Sequence, residues 1–277
     1  MLEQRKVDEI ILSALAEDMP MGDITTDNII DPASVSRARF IAKQDGVIAC
    51  VDVAKRVFQL LDPNVVFFTE LPDGTYVKKG DIILEFEGNT AAMLKAERTA
   101  LNIVQRMSGV ATRTYGLCSI IADLPTKIVD TRKTTPGLRY LEKYAVRVGG
   151  GQNHRYCLSD GVLIKDNHIK AAGGILNAVS RVRKQIPHTI KIEVETENFD
   201  MVREALEAGA DIIMLDNMNN AQMKEAVELI NGRALVEASG DMDEERVRAV
   251  AETGVDIISV GKITHSVKAM DISMRFC

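Results

Sequence analysis

The sequence predicts an α/β protein in which a small α+β region with antiparallel strands precedes an open, incomplete α/β barrel of six or seven strands. Three observations carry this. Downstream of Pro125, six short apolar runs alternate with helical segments (Ile128–Asp130, Val162–Lys165, Ile190–Glu195, Ile212–Asp216, Leu235–Ala238 and Ile257–Val260), the rhythm of a parallel sheet covered by helices. The last four runs begin about 22 residues apart, a usual strand-plus-helix repeat. The repeating region holds roughly 160 residues against roughly 250 for eight full units, so the barrel falls short of closure.

Upstream, Val7, Ile10, Ile11, Ala14 and Leu15 mark one face of a helix over residues 7–17. Residues 19–31, with Pro20 and Gly22, read as a loop. From Ser36 to Gly88, β-prone runs (Ala38–Ala42, Val47–Cys50, Val65–Phe68, Ile82–Glu87) are broken by Asp45-Gly46, Pro72-Asp73-Gly74 and Lys79-Gly80, with one helical segment near Val53 to Leu61. Thr90 to Met107 lacks Gly and Pro and predicts a helix. A second helix is expected over Gly109 to Ala122.

The chain has 277 residues, 46% hydrophobic and 27% charged, ordinary values for a globular protein. Its net charge of -6 argues against general attraction to nucleic acid or an anionic membrane. No run approaches a spanning length, and the N-terminus lacks the apolar core of a signal peptide. The four cysteines are scattered without a CxxC pair, which fits reduced thiols in a cytoplasmic protein.

Against that acidic background, residues 127–168 concentrate cations. One strand run ends in Arg132 and Lys133, His154 and Arg155 follow a Gly-rich turn, and another run ends in Lys165. Such charges at one end of adjacent strands repel unless an anion neutralises them, and Arg suits carboxylate and phosphate. Glu195 and Asp216 also end strands. They either pair with Lys165 or Lys191, or hold magnesium, a hard cation that takes one or two carboxylates plus substrate phosphates. Ser239-Gly240 and Gly261-Lys262 follow the last two strands, where barrels commonly bind phosphate, with His265 close behind. Arg98 stands apart on the first long helix, where spacing alone reads as a solvated side chain.

These residues lie in motifs that resemble quinolinate phosphoribosyltransferase. The motifs include Gly22-Asp23-Ile24-Thr25-Thr26, Glu97-Arg98-Thr99-Ala100-Leu101-Asn102, Asp130-Thr131-Arg132-Lys133-Thr134-Thr135-Pro136-Gly137 and Gly150-Gly151-Gln152-Asn153-His154-Arg155. Lys165-Asp166-Asn167-His168, Glu193-Val194-Glu195, Glu237-Ala238-Ser239-Gly240 and Thr264-His265-Ser266 continue the likeness. Asp241 stands where the family often has a second Gly, and Lys262 where a small residue is common.

The resemblance implies an N-terminal α/β (α+β) sandwich domain over residues 1–108, with 266–277 packing on it, and an open, seven-stranded α/β barrel over 109–265. It implies a homodimer, with higher assembly open, in which Arg98 reaches quinolinate across the interface. Arg132, His154, Arg155 and Lys165 would surround quinolinate. Lys133, Ser239, Gly240, Gly261 and His265 would surround phosphoribosyl pyrophosphate, with Glu195 and Asp216 at its magnesium. Lys165, Glu195 and Asp216 would be the catalytic groups. The implied reaction joins phosphoribosyl to quinolinate and releases pyrophosphate and CO2, giving nicotinate mononucleotide in NAD biosynthesis. Rival readings are a same-fold transferase acting on another pyridine carboxylate, a phosphate-binding barrel isomerase or aldolase, and a non-catalytic anion sensor.

Overall fold

The computed structural model describes residues 2–277. The chain opens with α1 (Gln4–Asp18), which buries Val7, Ile11 and Leu15 along one face. A short α2 (Thr26–Ile29) follows within the stretch that reads as loop. Asp23 starts it: its carboxylate accepts hydrogen bonds from the Thr25 and Thr26 amides at 3.0 and 3.1 Å, satisfying donors that a helix start leaves open.

Next come β1 (Val35–Ala42), β2 (Gly46–Val47), α3 (Val51–Leu61), β3 (Val66–Glu70), β4 (Tyr76–Val77) and β5 (Ile82–Asn89). Then α4 (Thr90–Ile120) runs as a single helix where two were expected. Gly109 does not break it, because the glycine serves as a packing slot: a Cβ there would lie 2.3 Å from the Lys268 carbonyl oxygen. After α4 the order is β6 (Lys127–Val129), α5 (Arg139–Val148), β7 (Val162–Ile164), α6 (Asp166–Ala172), α7 (Ile175–Arg183), β8 (Ile192–Thr196), α8 (Phe199–Glu207) and β9 (Ile212–Asp216). The chain ends with α9 (Asn220–Ile230), β10 (Leu235–Ser239), α10 (Val247–Ala251), β11 (Ile257–Ser259), α11 (Lys262–His265) and β12 (Ile272–Phe276).

The chain divides into two compact units. The first takes residues up to Tyr115, with 135–150 and 267–277; the second takes 116–134 and 151–266. In the first, an antiparallel sheet runs in the order β12-β1-β5-β3, so the last strand of the chain pairs with the first. Phe40, Phe58 and Phe86 fill its core, with ring centroids 4.4–5.9 Å apart. All three are fully buried, each stabilising the fold by about 1.5–3 kcal/mol through burial.

The second unit holds a parallel sheet in the order β6-β11-β10-β9-β8-β7. One face of the sheet is apolar, with Ile128, Ile164, Val194, Ile213, Val236 and Ile258 all buried, while Glu193, Glu195 and Glu237 stand on the other. The order is that of a barrel cut once. From β7 to β11 each strand neighbours its sequence successor, and β6 pairs with β11, the last strand of the set, but β6 and β7 do not pair. Six strands are present among the described residues, not the seven that the family resemblance implied. The place of the seventh is marked by one bridge between Val129 and Gln152, where Gln152 exchanges backbone hydrogen bonds with Ile128 and Asp130 at 2.8 and 3.2 Å. Gly149 to Gly151 on one side and Asn153 with His154 on the other confine the pairing to that residue.

Candidate active site

All strands of the parallel sheet deliver their C-terminal ends to one side, where residues leave the ladder and their side chains can point at a common volume. A cavity of about 650 Å³ lies there. Arg132, Lys133, His154, Arg155, Lys165, Glu195, Asp216, Ser239, Gly240, Gly261 and His265 all line it. Of the residues singled out in the sequence, Arg98 alone lies elsewhere. It is exposed on α4, in the first unit, and its side chain makes no hydrogen bond or ion pair among the described residues.

The cationic wall is set by Asp130, which is fully buried at the end of β6. Its carboxylate accepts the His154 amide at 2.9 Å and the Asn153 side-chain amide at 2.6 Å. That ties the His154–Arg155 turn to the strand that leads into Arg132 and Lys133. Lys133 is held by its backbone: its amide donates to Thr131 Oγ1 at 3.0 Å, and its carbonyl accepts from Thr264 Oγ1 at 2.8 Å. Burial and then the charge of nearby Arg132 press the pKa of Arg155 down. A bound anion relieves both effects, so this pair is arranged for one.

Lys165 follows β7 directly, and its ammonium pairs with the Glu195 carboxylate. This is one of the two readings left open by the sequence. Asp216 accepts the Asn217 side-chain amide at 2.7 Å. Gly240 is required where it stands: its φ is +96°, and a Cβ would come within 2.3 Å of Asn217 Oδ1. Arg246 fastens this end of the cavity by donating to the carbonyls of Gly240 and Met218, each at 2.8 Å.

Beneath the cations His154 meets two carboxylates to which the sequence assigned no role. His154 Nε2 is 3.0 Å from Glu193 and 3.5 Å from Glu237, both carboxylates being almost wholly buried. His154 Nδ1 accepts the Arg155 amide at 2.7 Å, so in the neutral ring the proton sits on Nε2 and points at the carboxylates. The three groups lie close enough to hold a metal. The tautomer argues against it, because a ligating histidine normally donates its second N–H, whereas here that nitrogen accepts one. Burial, followed by the Glu193 charge, raises the pKa of Glu237 to about 7. The signal in the sequence was an acidic residue inside an otherwise apolar strand, which must find a partner or stay protonated.

Glu195 and Asp216 suit magnesium in a limited sense. They offer two carboxylates to one cavity, and no third ligand joins them among the described residues. Magnesium usually binds through one or two carboxylates with substrate phosphates and waters, so this pair fits an ion that arrives with a diphosphate.

Fold and site together define an α/β-barrel protein with a cation-rich mouth. The chain belongs to the quinolinate phosphoribosyl transferase family: residues 23–108 match its N-terminal domain and residues 110–275 its C-terminal domain. A nicotinate-nucleotide pyrophosphorylase (carboxylating) of Arabidopsis thaliana is 45% identical over 287 residues, covering 96% of this chain and 81% of the relative. The structure of the nicotinate-nucleotide pyrophosphorylase from Francisella tularensis superposes with a TM-score of 0.95 at 40% identity, covering 100% of this chain and 98% of the other. That of NadC from Streptococcus pyogenes gives 0.96 at 41% identity, covering 99% and 97%.

Proposed function

We infer that this chain is an enzyme that transfers phosphoribosyl from phosphoribosyl pyrophosphate to quinolinate with decarboxylation, yielding nicotinate mononucleotide, pyrophosphate and CO2. One observation carries the reading beyond family membership: Arg132, Lys133, Arg155, Lys165 and Lys262 converge with the carboxylates of Glu195 and Asp216 on a single cavity at the strand ends. Quinolinate brings two carboxylates, and its co-substrate brings a phosphate and a pyrophosphate. No single-phosphate substrate would use that charge.

Arg132, Arg155 and Lys165 would neutralise the quinolinate carboxylates. His154 would serve from the wall, its ring oriented by Glu193 and the Arg155 amide. Lys133, Ser239, Gly240, Gly261 and His265 would hold the phosphoribosyl end. Magnesium at Glu195 and Asp216 would neutralise charge on the departing pyrophosphate. The pyridine nitrogen attacks C1 of the ribose as the C1–O bond to pyrophosphate breaks. No protein nucleophile is required, so positioning and electrostatics carry the rate. The new N–C bond leaves the ring cationic. The adjacent C–CO2 bond then breaks, its electron pair stays on the ring carbon beside positive charge, and a proton replaces CO2. Lys165 would balance charge at this step, and substrate binding would draw it from Glu195.

We further propose a homodimer in which Arg98 reaches the partner's cavity; its exposure and lack of any side-chain partner support this. Among the described residues no helix is long and apolar enough to cross a membrane. The four free cysteines fit a reducing, cytoplasmic compartment.

The test is incubation of the protein with quinolinate, phosphoribosyl pyrophosphate and magnesium, following nicotinate mononucleotide and CO2. Both should form in equal amounts, and nicotinate should not replace quinolinate. Turnover of nicotinate with none of quinolinate would assign the chain to a different pyridine carboxylate.

A further inference from the structure

Asp241 and Lys262 come from separate loops, after β10 and β11. In the structure they meet. Lys262 Nζ lies 2.5 Å from Asp241 and 3.6 Å from Asp243, and Asp241 and Lys262 both line the large cavity. They stand at its phosphoribosyl end. Gly261, next to Lys262, is so close to Lys133 and His265 that a Cβ on it would approach each at 3.1 Å.

Asp241 is held in an uncommon place. Its φ is +45°, a left-handed backbone that Asp tolerates better than most side chains. The loop beneath it is fastened by Arg246 to the carbonyls of Gly240 and Met218. Its carboxylate is therefore fixed at the rim, where its side chain is 79% exposed against 31% for Lys262. A negative charge at the rim of an anion pocket opposes the ligand unless a cation screens it. Here the screening cation is itself part of the pocket wall. A phosphate dianion and the Asp241 monoanion thus compete for one ammonium, and so exposed an ion pair holds its members weakly.

We propose that Lys262 is a phosphate-binding residue of this enzyme and that Asp241 is its latch, retaining the ammonium in the empty site and yielding it to the phosphate of the incoming phosphoribosyl group. The proposal rests on the reading of the cavity given above. The same exchange run backwards helps the product leave, since the nucleotide carries the same phosphate and Asp241 reclaims Lys262 as it departs. Asp243 gives the freed ammonium a second position on the same loop, while its other oxygen accepts the Arg246 amide at 3.1 Å.

The experiment compares wild type with Lys262→Met, Lys262→Arg and Asp241→Asn. It measures KM for each substrate, and the affinity for inorganic phosphate by calorimetry. Lys262→Met should raise KM for phosphoribosyl pyrophosphate, and weaken phosphate binding, by about tenfold or more, the usual loss of a charged hydrogen bond. KM for quinolinate should stay near the wild-type value. Lys262→Arg should restore most of the loss. Asp241→Asn keeps the shape and the left-handed backbone but removes the competitor, so it should lower KM for phosphoribosyl pyrophosphate several-fold and slow release of the nucleotide. Unchanged phosphate binding in Lys262→Met, or a raised KM in Asp241→Asn, overturns the proposal. The two readings fail separately. Turnover that ignores both substitutions removes the latch alone. Phosphate binding that depends on Lys262, without turnover of quinolinate, keeps the latch and removes the assigned reaction.

Discussion

Arg132 presents the sharpest test at the level of one residue. If it forks onto a quinolinate carboxylate, Arg132→Ala leaves that charge unpaired and should cost about 2–5 kcal/mol. In steady-state kinetics this is a loss of roughly 30-fold to several thousand-fold in kcat/KM for quinolinate. Wild-type kinetics in the variant would remove Arg132 from the site. Glu237 offers a test through pH. Its pKa is raised from an ordinary 4.5 to about 7, first by burial and then by Glu193, with His154 opposing. A raised carboxyl pKa means that the folded protein keeps a proton which the unfolded chain sheds. Its contribution to stability is therefore full at low pH and declines as pH rises from about 4.5 to about 7. Glu237→Gln keeps the shape without the titration. The denaturant midpoint of wild type, relative to this variant, should fall across that window. A difference that does not change with pH would show that Glu237 is already ionised below it.

At the level of elements, Gly109 decides whether α4 is one helix or two. Propensity alone ends a helix there, and the expectation of a break followed from it. What keeps the helix whole is a tertiary contact with the carbonyl of Lys268, 159 positions away in the chain, which propensity does not register. Gly109→Ala should therefore destabilise the fold by about 1–3 kcal/mol, as overpacked sites do, although Ala favours helix. An unchanged urea midpoint would contradict the packing slot. The parallel strands were far easier to read, because each is a short, mainly apolar run with polar residues at or just after its end. Those ends carried the site as well: Lys165, Glu195, Asp216 and Ser239 stand within one residue of the ends of β7 to β10. Three features stayed hidden for physical reasons. The buried Glu193, Glu237 and His154 group depends on which strands become neighbours. Arg246 acts from a helix start onto carbonyls, and carbonyl acceptors carry no sequence signature. The pairing of Asp241 with Lys262 joins two loops whose proximity is fixed only when β10 and β11 align.

For the whole molecule, the decisive residue is the one that the cavity leaves out. Arg98 is exposed, without a side-chain partner, on a helix in the first unit, yet it sits within the segment that matches the family's N-terminal domain. A solvated arginine and one that completes a second subunit's site predict different behaviour in mixtures. Arg98→Ala and Arg132→Ala should each be strongly impaired as homodimers. In a hybrid, one of the two cavities pairs an intact Arg132 with an intact Arg98 from the other chain, whereas the second cavity lacks both. Random reassembly of equal amounts makes half of the dimers hybrid, each with one working site. Activity should therefore recover to about one quarter of wild type, once unfolding and refolding or co-expression lets subunits exchange. If Arg98 served its own chain's cavity, each cavity of the hybrid would lack one arginine and no activity would return. If Arg98 were merely solvated, the Arg98→Ala homodimer would be active before any mixing. The three outcomes separate on a single assay of quinolinate turnover, with the proportion of hybrid dimers measured by native mass spectrometry.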